Sequence, residues 1–194
     1  MIRSINVDRL RRGLAAVLLI AALVQGTPAV AMIAKGWLAG VLINMAWQHG
    51  ITSKQVTKPW PWADIVPVAR LQVPKYDIDQ IVLSDVSGEA LAFGPGMVVG
   101  TGDTGMTRLI SGHRDSYFGF LEMLRVDDEI RLTMADGVKQ IFRVTSTDIV
   151  DRRDVTISVS GTNLLVLSTC YPFGRLQPRG DLRYLVSAVP QGHI

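Results

Sequence analysis

The stretch Leu164-Leu165-Val166-Leu167-Ser168-Thr169-Cys170-Tyr171-Pro172-Phe173 holds the only cysteine in a chain of 194 residues. Its four consecutive aliphatic side chains predict a strand buried on both faces, residues 164–169. Pro172 cannot donate to a ladder, so the strand stops there and leaves the thiol at its exit. Working outward, short runs of the same kind recur at residues 66–73, 80–83, 107–111, 129–134, 140–148 and 183–189, each bounded by turn residues. Asp136-Gly137 between two of them predicts a hairpin. Residues 89–93 and 118–124 predict short helical turns. Six to eight short strands in one domain imply a mainly β fold, an antiparallel-rich barrel or sandwich.

The other end of the chain reads differently. Hydrophobic residues make up 48% of the chain, which directs attention to a membrane segment. Residues 13–34 are apolar apart from Gln25, Thr27 and Pro28, and as a helix would span about 33 Å, enough to cross a bilayer core. Arg3, Arg9, Arg11 and Arg12 precede them, which puts that end in the cytoplasm and the rest outside. A cleaved signal peptide is the alternative: residues 14–24 suit its apolar core, and Ala29-Val30-Ala31 suits its cleavage site. Apolar character continuing from Trp37 to Ile43 favours one long helix over a cut. The expected organisation is a cytoplasmic basic tail (1–12), a transmembrane anchor or signal peptide (13–35), a membrane-proximal helix and linker (36–65) and a β domain (66–194). The linker includes the proline-rich Lys58-Pro59-Trp60-Pro61-Trp62, where Trp60 and Trp62 are placed to cover a groove. Net charge is only +3, with no basic stripe interleaved with aromatics, so no nucleic-acid partner is expected.

Either reading exports the β domain to a compartment that favours disulfides, yet one cysteine cannot pair within its own chain. Such a thiol is inert and buried, paired between chains, or kept for chemistry. A nucleophilic thiol needs a base or a positive neighbour. Of three histidines, His193 is next to the C-terminus and His49 lies in the membrane-proximal helix. His113 follows the run Leu109-Ile110-Ser111-Gly112, at a second strand exit. An arginine suits the oxyanion that forms in acyl transfer, because its fork offers fixed charge and several donors. Arg183 opens the last apolar run, and Arg114, Arg175 and Arg179 compete with it.

These residues resemble a known family. The segment LLVLSTCYPF resembles the Thr-Leu-x-Thr-Cys signature of sortases, with Val166 in place of the first threonine and Ser168 at the variable position. LRYLVSA resembles the strand in which sortases carry their arginine. ISGHRDSYFGFLEML resembles the sortase histidine motif, and LAFGPGMVVGTGDTG the glycine-rich stretch upstream, where Met97 stands at a position many members fill with histidine. The resemblance covers residues 66–189, most like the compact sortases of Gram-negative proteobacteria, with the TCYPF form of class D-like members.

The resemblance implies a closed sortase-type β-barrel of seven to eight strands. It implies Cys170 as nucleophile, His113 as general acid/base and Arg183 as oxyanion and substrate ligand, with Ser168, Thr169 and Tyr171 binding substrate. It further implies a cysteine transpeptidase at the cell envelope, acting on a surface protein with an LPxTG-like C-terminal sorting signal and an amine acceptor. No cofactor and no metal is expected. Residues 51–65 lack the Asp-Pro-aromatic lid motif of pilin-assembling members. Two other classes stay open: a non-catalytic, membrane-tethered barrel that binds a partner, and an exported cysteine hydrolase or peptidoglycan transpeptidase. The second lacks its expected His-Gly and Ser-x-Gly-Cys arrangement.

Overall fold

The computed structural model describes residues 7–102, 105–154, 163–174 and 180–191. The chain divides into two units, Met1–Gly40 and Val41–Ile194. The first is helical wherever it is described, part of helix α1 (Val7–Ser53). Pro28 lies within that helix without ending it. The stretch Val30–Ser53 is long and apolar enough to cross a membrane. An N-terminal apolar helix of this kind fits a single-pass anchor. The side chains of residues 19–29, in the middle of the expected span, lie outside the described set.

The second unit is a β-barrel. Its strands are β1 (Pro67–Val73), β2 (Ile78–Leu83), β3 (Gly96–Gly102), β4 (Gly105–Ser111), β5 (Glu129–Met134), β6 (Lys139–Asp151), β7 (Leu164–Cys170) and β8 (Leu182–Pro190). Helix α2 (Gly88–Leu91) precedes β3, and a 3-10 turn (Gly119–Met123) follows β4. Around the barrel the order is β1-β2-β3-β4-β7-β8-β6-β5, closed between β5 and β1. Closure removes the free edges of an open sheet, with β2 and β3 joined among the described residues through the parallel pair Leu83 and Gly96. Most neighbours are antiparallel, but β4 and β7 run parallel, Thr107 through Ser111 facing Leu164 through Ser168. That pair fixes the site, because parallel neighbours end at the same rim.

Alternation explains the core. Along β1, Ala69, Leu71 and Val73 point inward while Arg70 and Gln72 point out. They meet Ile130 and Leu132 of β5, Phe142 and Val144 of β6, Leu165 and Leu167 of β7, and Val186 and Ala188 of β8 in one cluster. Phe118 and Leu121, from the segment after β4, plug the same cluster and are fully buried. Each such side chain contributes about 1.5–3 kcal/mol on burial. Val166, on the other face of β7, is buried too, as the unbroken aliphatic run requires.

A second cluster gathers Ile43 of α1 with Ala63, Ile65, Leu83 and Ala90. Trp60 packs edge-to-face on Phe93, centroids 5.6 Å apart. Trp62 is 79% exposed. The two tryptophans therefore part: Trp60 helps seal this cluster instead of covering a groove, and Trp62 faces solvent.

Two polar devices set the turns. Asp128, buried before β5, accepts from Lys75 Nζ at 2.6 Å and from the Arg125 backbone N–H at 2.9 Å, and lies 3.0 Å from the Tyr76 hydroxyl. In the β5–β6 hairpin Gly137 has φ +88°, a conformation that favours glycine. The Val138 N–H donates to Asp136 Oδ1 at 2.9 Å and closes the turn.

Candidate active site

Three neighbouring strands deliver the chemistry-bearing residues to one rim. Ser111 of β4 faces Ser168 of β7, and the Gly112 N–H continues the ladder to the Ser168 carbonyl at 3.2 Å. His113 lies two positions past Ser111, and Cys170 two past Ser168. On the other side of β7, Cys170 stands directly opposite Arg183 of β8. Leu165 and Leu167 face the core, so by alternation Ser168 and Cys170 face outward. Val186 and Ala188 face the core, so Arg183 shares the outer face with Cys170. The thiol is half-buried and the imidazole exposed.

The backbone around these residues is pinned. Gly112 has no room for a side chain: a Cβ there would sit 2.8 Å from Phe118 Cγ, and Phe118 is fully buried. The Phe118 N–H donates back to the His113 carbonyl at 2.9 Å. Thr169 is 2% exposed, and its hydroxyl donates to the Gly112 carbonyl at 2.7 Å. That hydroxyl is committed to the fold, whereas Ser168 and Tyr171 are both half-buried. Past the thiol, Tyr171 stacks on Tyr184 at 6.2 Å, and Phe173 meets Tyr184 edge-to-face at 5.2 Å. The Tyr171 N–H donates to the Leu182 carbonyl at 3.1 Å, and the Tyr171-Pro172 peptide is cis.

Arg183 Nη1 donates to the carbonyls of Gly180 and Leu182, both at 2.9 Å. Among the described residues its Nε and Nη2 have no hydrogen-bond partner, leaving donors for a ligand. The approach to β8 is clamped: Arg152 Nε bonds Asp181 at 2.9 Å, and Arg153 bridges Asp151 and Asp181 at 2.7 and 3.4 Å. Of the other arginines considered from sequence, Arg175 and Arg179 lie outside the described residues, as does His193.

Arg114 is the one sequence reasoning undervalued. It is buried, and its Nε and Nη2 grip both oxygens of Asp115 at 2.8 and 3.0 Å. Its Nη1 donates to the Pro172 carbonyl at 2.5 Å. Hydrogen bonding from Arg114 holds the Asp115 carboxyl below its ordinary range. Nothing local signals the Pro172 contact, since the partner is a carbonyl 58 residues away.

The described residues hold no cluster of three His, Cys, Asp or Glu side chains placed for a metal ion. A cavity of about 470 Å³ lies on the outer face of β1, β5 and β6, beneath Trp47 and Ile51 of α1. It takes no lining from β4, β7 or β8, so it is separate from the thiol.

Comparison with known proteins agrees with the fold. A family model described as "Sortase domain" matches residues 71–191, a span enclosing His113, Cys170 and Arg183. Sortase D of Bacillus subtilis (strain 168) is 29% identical over 107 residues, covering 53% of this chain and 54% of that protein. The chain thus spans about half the length of the curated relative it matches. Among solved structures, a Clostridium perfringens sortase D5 transpeptidase superposes with a TM-score of 0.60 at 14% identity, covering 80% of this chain and 99% of the other. Sortase A from Corynebacterium diphtheriae gives 0.58 at 18% identity, covering 98% and 97%. These two likenesses bear on the fold.

Proposed function

The chain belongs to the sortase family, and from that premise we propose that it is a cysteine transpeptidase of the cell envelope. The observation that carries the reading is the convergence at one rim: Cys170 opposite Arg183 in the β7–β8 ladder, and His113 at the matching exit of β4. A thiol, a base and a fixed cation on neighbouring strand ends suit acyl transfer.

In the proposed reaction the Cys170 thiolate attacks the threonine carbonyl of an LPxTG-like sorting signal. Arg183 donates hydrogen bonds where the oxyanion forms, a contribution of about 3 kcal/mol by analogy with lost oxyanion donors. The C–N bond to glycine breaks, and His113 protonates the leaving amine. An amine from a cell-envelope component or protein then attacks the thioester while His113 takes its proton. The amide forms as the C–S bond breaks, and Cys170 leaves as the thiolate beside a reprotonated His113. Ser168 and Tyr171 flank the threonine, and Thr169 holds the frame. A single-pass anchor formed by α1 keeps the domain on the outer side of the membrane, its N-terminus in the cytoplasm.

The test is mass spectrometry of full-length protein incubated with an LPxTG-type peptide, with and without an amine. The unaltered chain should form a thioester on Cys170 and exchange it to the amine. Cys170→Ala and His113→Ala should each abolish this, and Arg183→Lys should lose about 100-fold, since a point charge does not reproduce the fork. Full activity in Cys170→Ala would overturn the reading.

A further inference from the structure

We propose that Arg114 is a positioning residue that braces the exit of β4 against the loop after β7 and so sets the relation of His113 to Cys170. The inference rests on the transpeptidase reading above for what the two residues do, but its geometry is independent of it.

An arginine paired with the very next residue, whose carboxylate is 76% exposed, would ordinarily be a surface pair of little worth. This guanidinium is instead only 8% exposed. Burying it is costly unless its donors are met, and they are met by an arrangement with a purpose. Asp115 grips one edge of the fork through two bonds, which fixes the plane of the guanidinium. The remaining edge is thereby aimed at the Pro172 carbonyl. Gly112, on the other side of His113, is held by the Thr169 hydroxyl. His113 is thus flanked by two struts, and they run to either side of Cys170: Gly112 to Thr169, the residue before it, and Arg114 to Pro172, two residues after it. The imidazole itself is exposed, so its location depends on this backbone frame. The proximity is also electrostatic, since Cys170 acts on the charge of Arg114.

Full-length protein in detergent micelles carries the test, as Arg114→Lys, Arg114→Gln and Asp115→Asn. Two readouts are taken: kcat and KM with the sorting peptide, and the rate of Cys170 alkylation by iodoacetamide at fixed pH. Arg114→Gln should lower kcat about 100-fold with KM nearly unchanged, the cost of a misplaced catalytic group. It should also change the alkylation rate several-fold, because the Pro172 carbonyl loses its donor and the segment after the thiol is no longer held. Arg114→Lys should change that rate likewise and lose kcat by about 10-fold or more, because the charge stays and the fork goes. Asp115→Asn alters an exposed carboxylate that the fold can spare, and should lose several-fold in kcat by freeing the fork. Wild-type kcat in Arg114→Lys would overturn the brace, as would an Arg114→Gln loss confined to KM with the alkylation rate unmoved. The alkylation arm uses no peptide. If the unaltered chain formed no thioester, the transpeptidase reading would fall while that arm still judged the brace.

Discussion

Replacing Gly112 by alanine tests whether packing at the exit of β4 sets the site. The added Cβ would lie 2.8 Å from Phe118 Cγ, 2.9 Å from Cδ1 and 3.1 Å from Cδ2. Ordinary contact begins at about 3.5 Å, so the ring must retreat by more than half an ångström. It has nowhere to go: Phe118 is fully buried and meets Phe120 edge-to-face at 5.6 Å. Overpacking of this kind costs about 1–3 kcal/mol, or a fall of roughly 3–9 °C in Tm for a domain of this size. The assay is urea unfolding of the full chain followed by tryptophan fluorescence, run as a double-mutant cycle with Phe118→Leu. If the ring is the obstacle, Gly112→Ala should cost at least about 1 kcal/mol less in the Phe118→Leu background. Equal costs in the two backgrounds would refute the steric argument. The same variant should also lose activity with the sorting peptide, since His113 is the next residue.

Asp128→Asn should destabilise the domain by about 1–3 kcal/mol, because Lys75 and the Arg125 N–H lose a charged acceptor. Burial alone would raise the Asp128 carboxyl, but its bonds to Lys75, Arg125 and Tyr76 outweigh this and hold it below the usual range. Its stabilisation is therefore complete above about pH 4 and drains away as pH falls through the lowered folded value; the acid limb of the wild-type unfolding curve should flatten in Asp128→Asn. Gly137→Ala should cost about 1 kcal/mol in the same assay, all of it from φ +88°, since no atom stands within 4 Å of the new Cβ.

Much of the barrel was legible because its strands obey period-two burial. The run at 129–134 is β5 to the residue, and the 164–169 run falls one short of β7, which ends on Cys170 itself. Strand β3 escaped notice: its Gly96-Met97-Val98-Val99-Gly100-Thr101-Gly102 carries three glycines, and Val98 and Val99 are both exposed, so no alternation marks it. Pairing with β4 makes it a strand. Strand β6 runs to Asp151, beyond the expected 148, because Ile149, Val150 and Asp151 pair with β8. A parallel β4–β7 neighbour relation cannot be read from local pattern, since it joins segments 57 residues apart. For the site, strand exits and local motifs identified His113, Cys170 and Arg183 as candidates. The roles of Gly112, Arg114 and Thr169 as struts were hidden, because each is defined by a partner distant in sequence.

The parallel β4–β7 pair also bears on how the molecule is made. Its closure must wait for a long loop to be organised, and such non-local pairings are slow to form. Strand β8, the last in the chain, then locks both β6 and β7 and brings Arg183 opposite the thiol. This order of events predicts that the rim is the latest part of the molecule to mature, so that a partly folded chain holds a cysteine without its neighbours. Pulsed alkylation during refolding should find Cys170 reacting as an unassisted thiol until barrel closure, then switching in step with β8 docking. That result would make competence and completion of the fold one event.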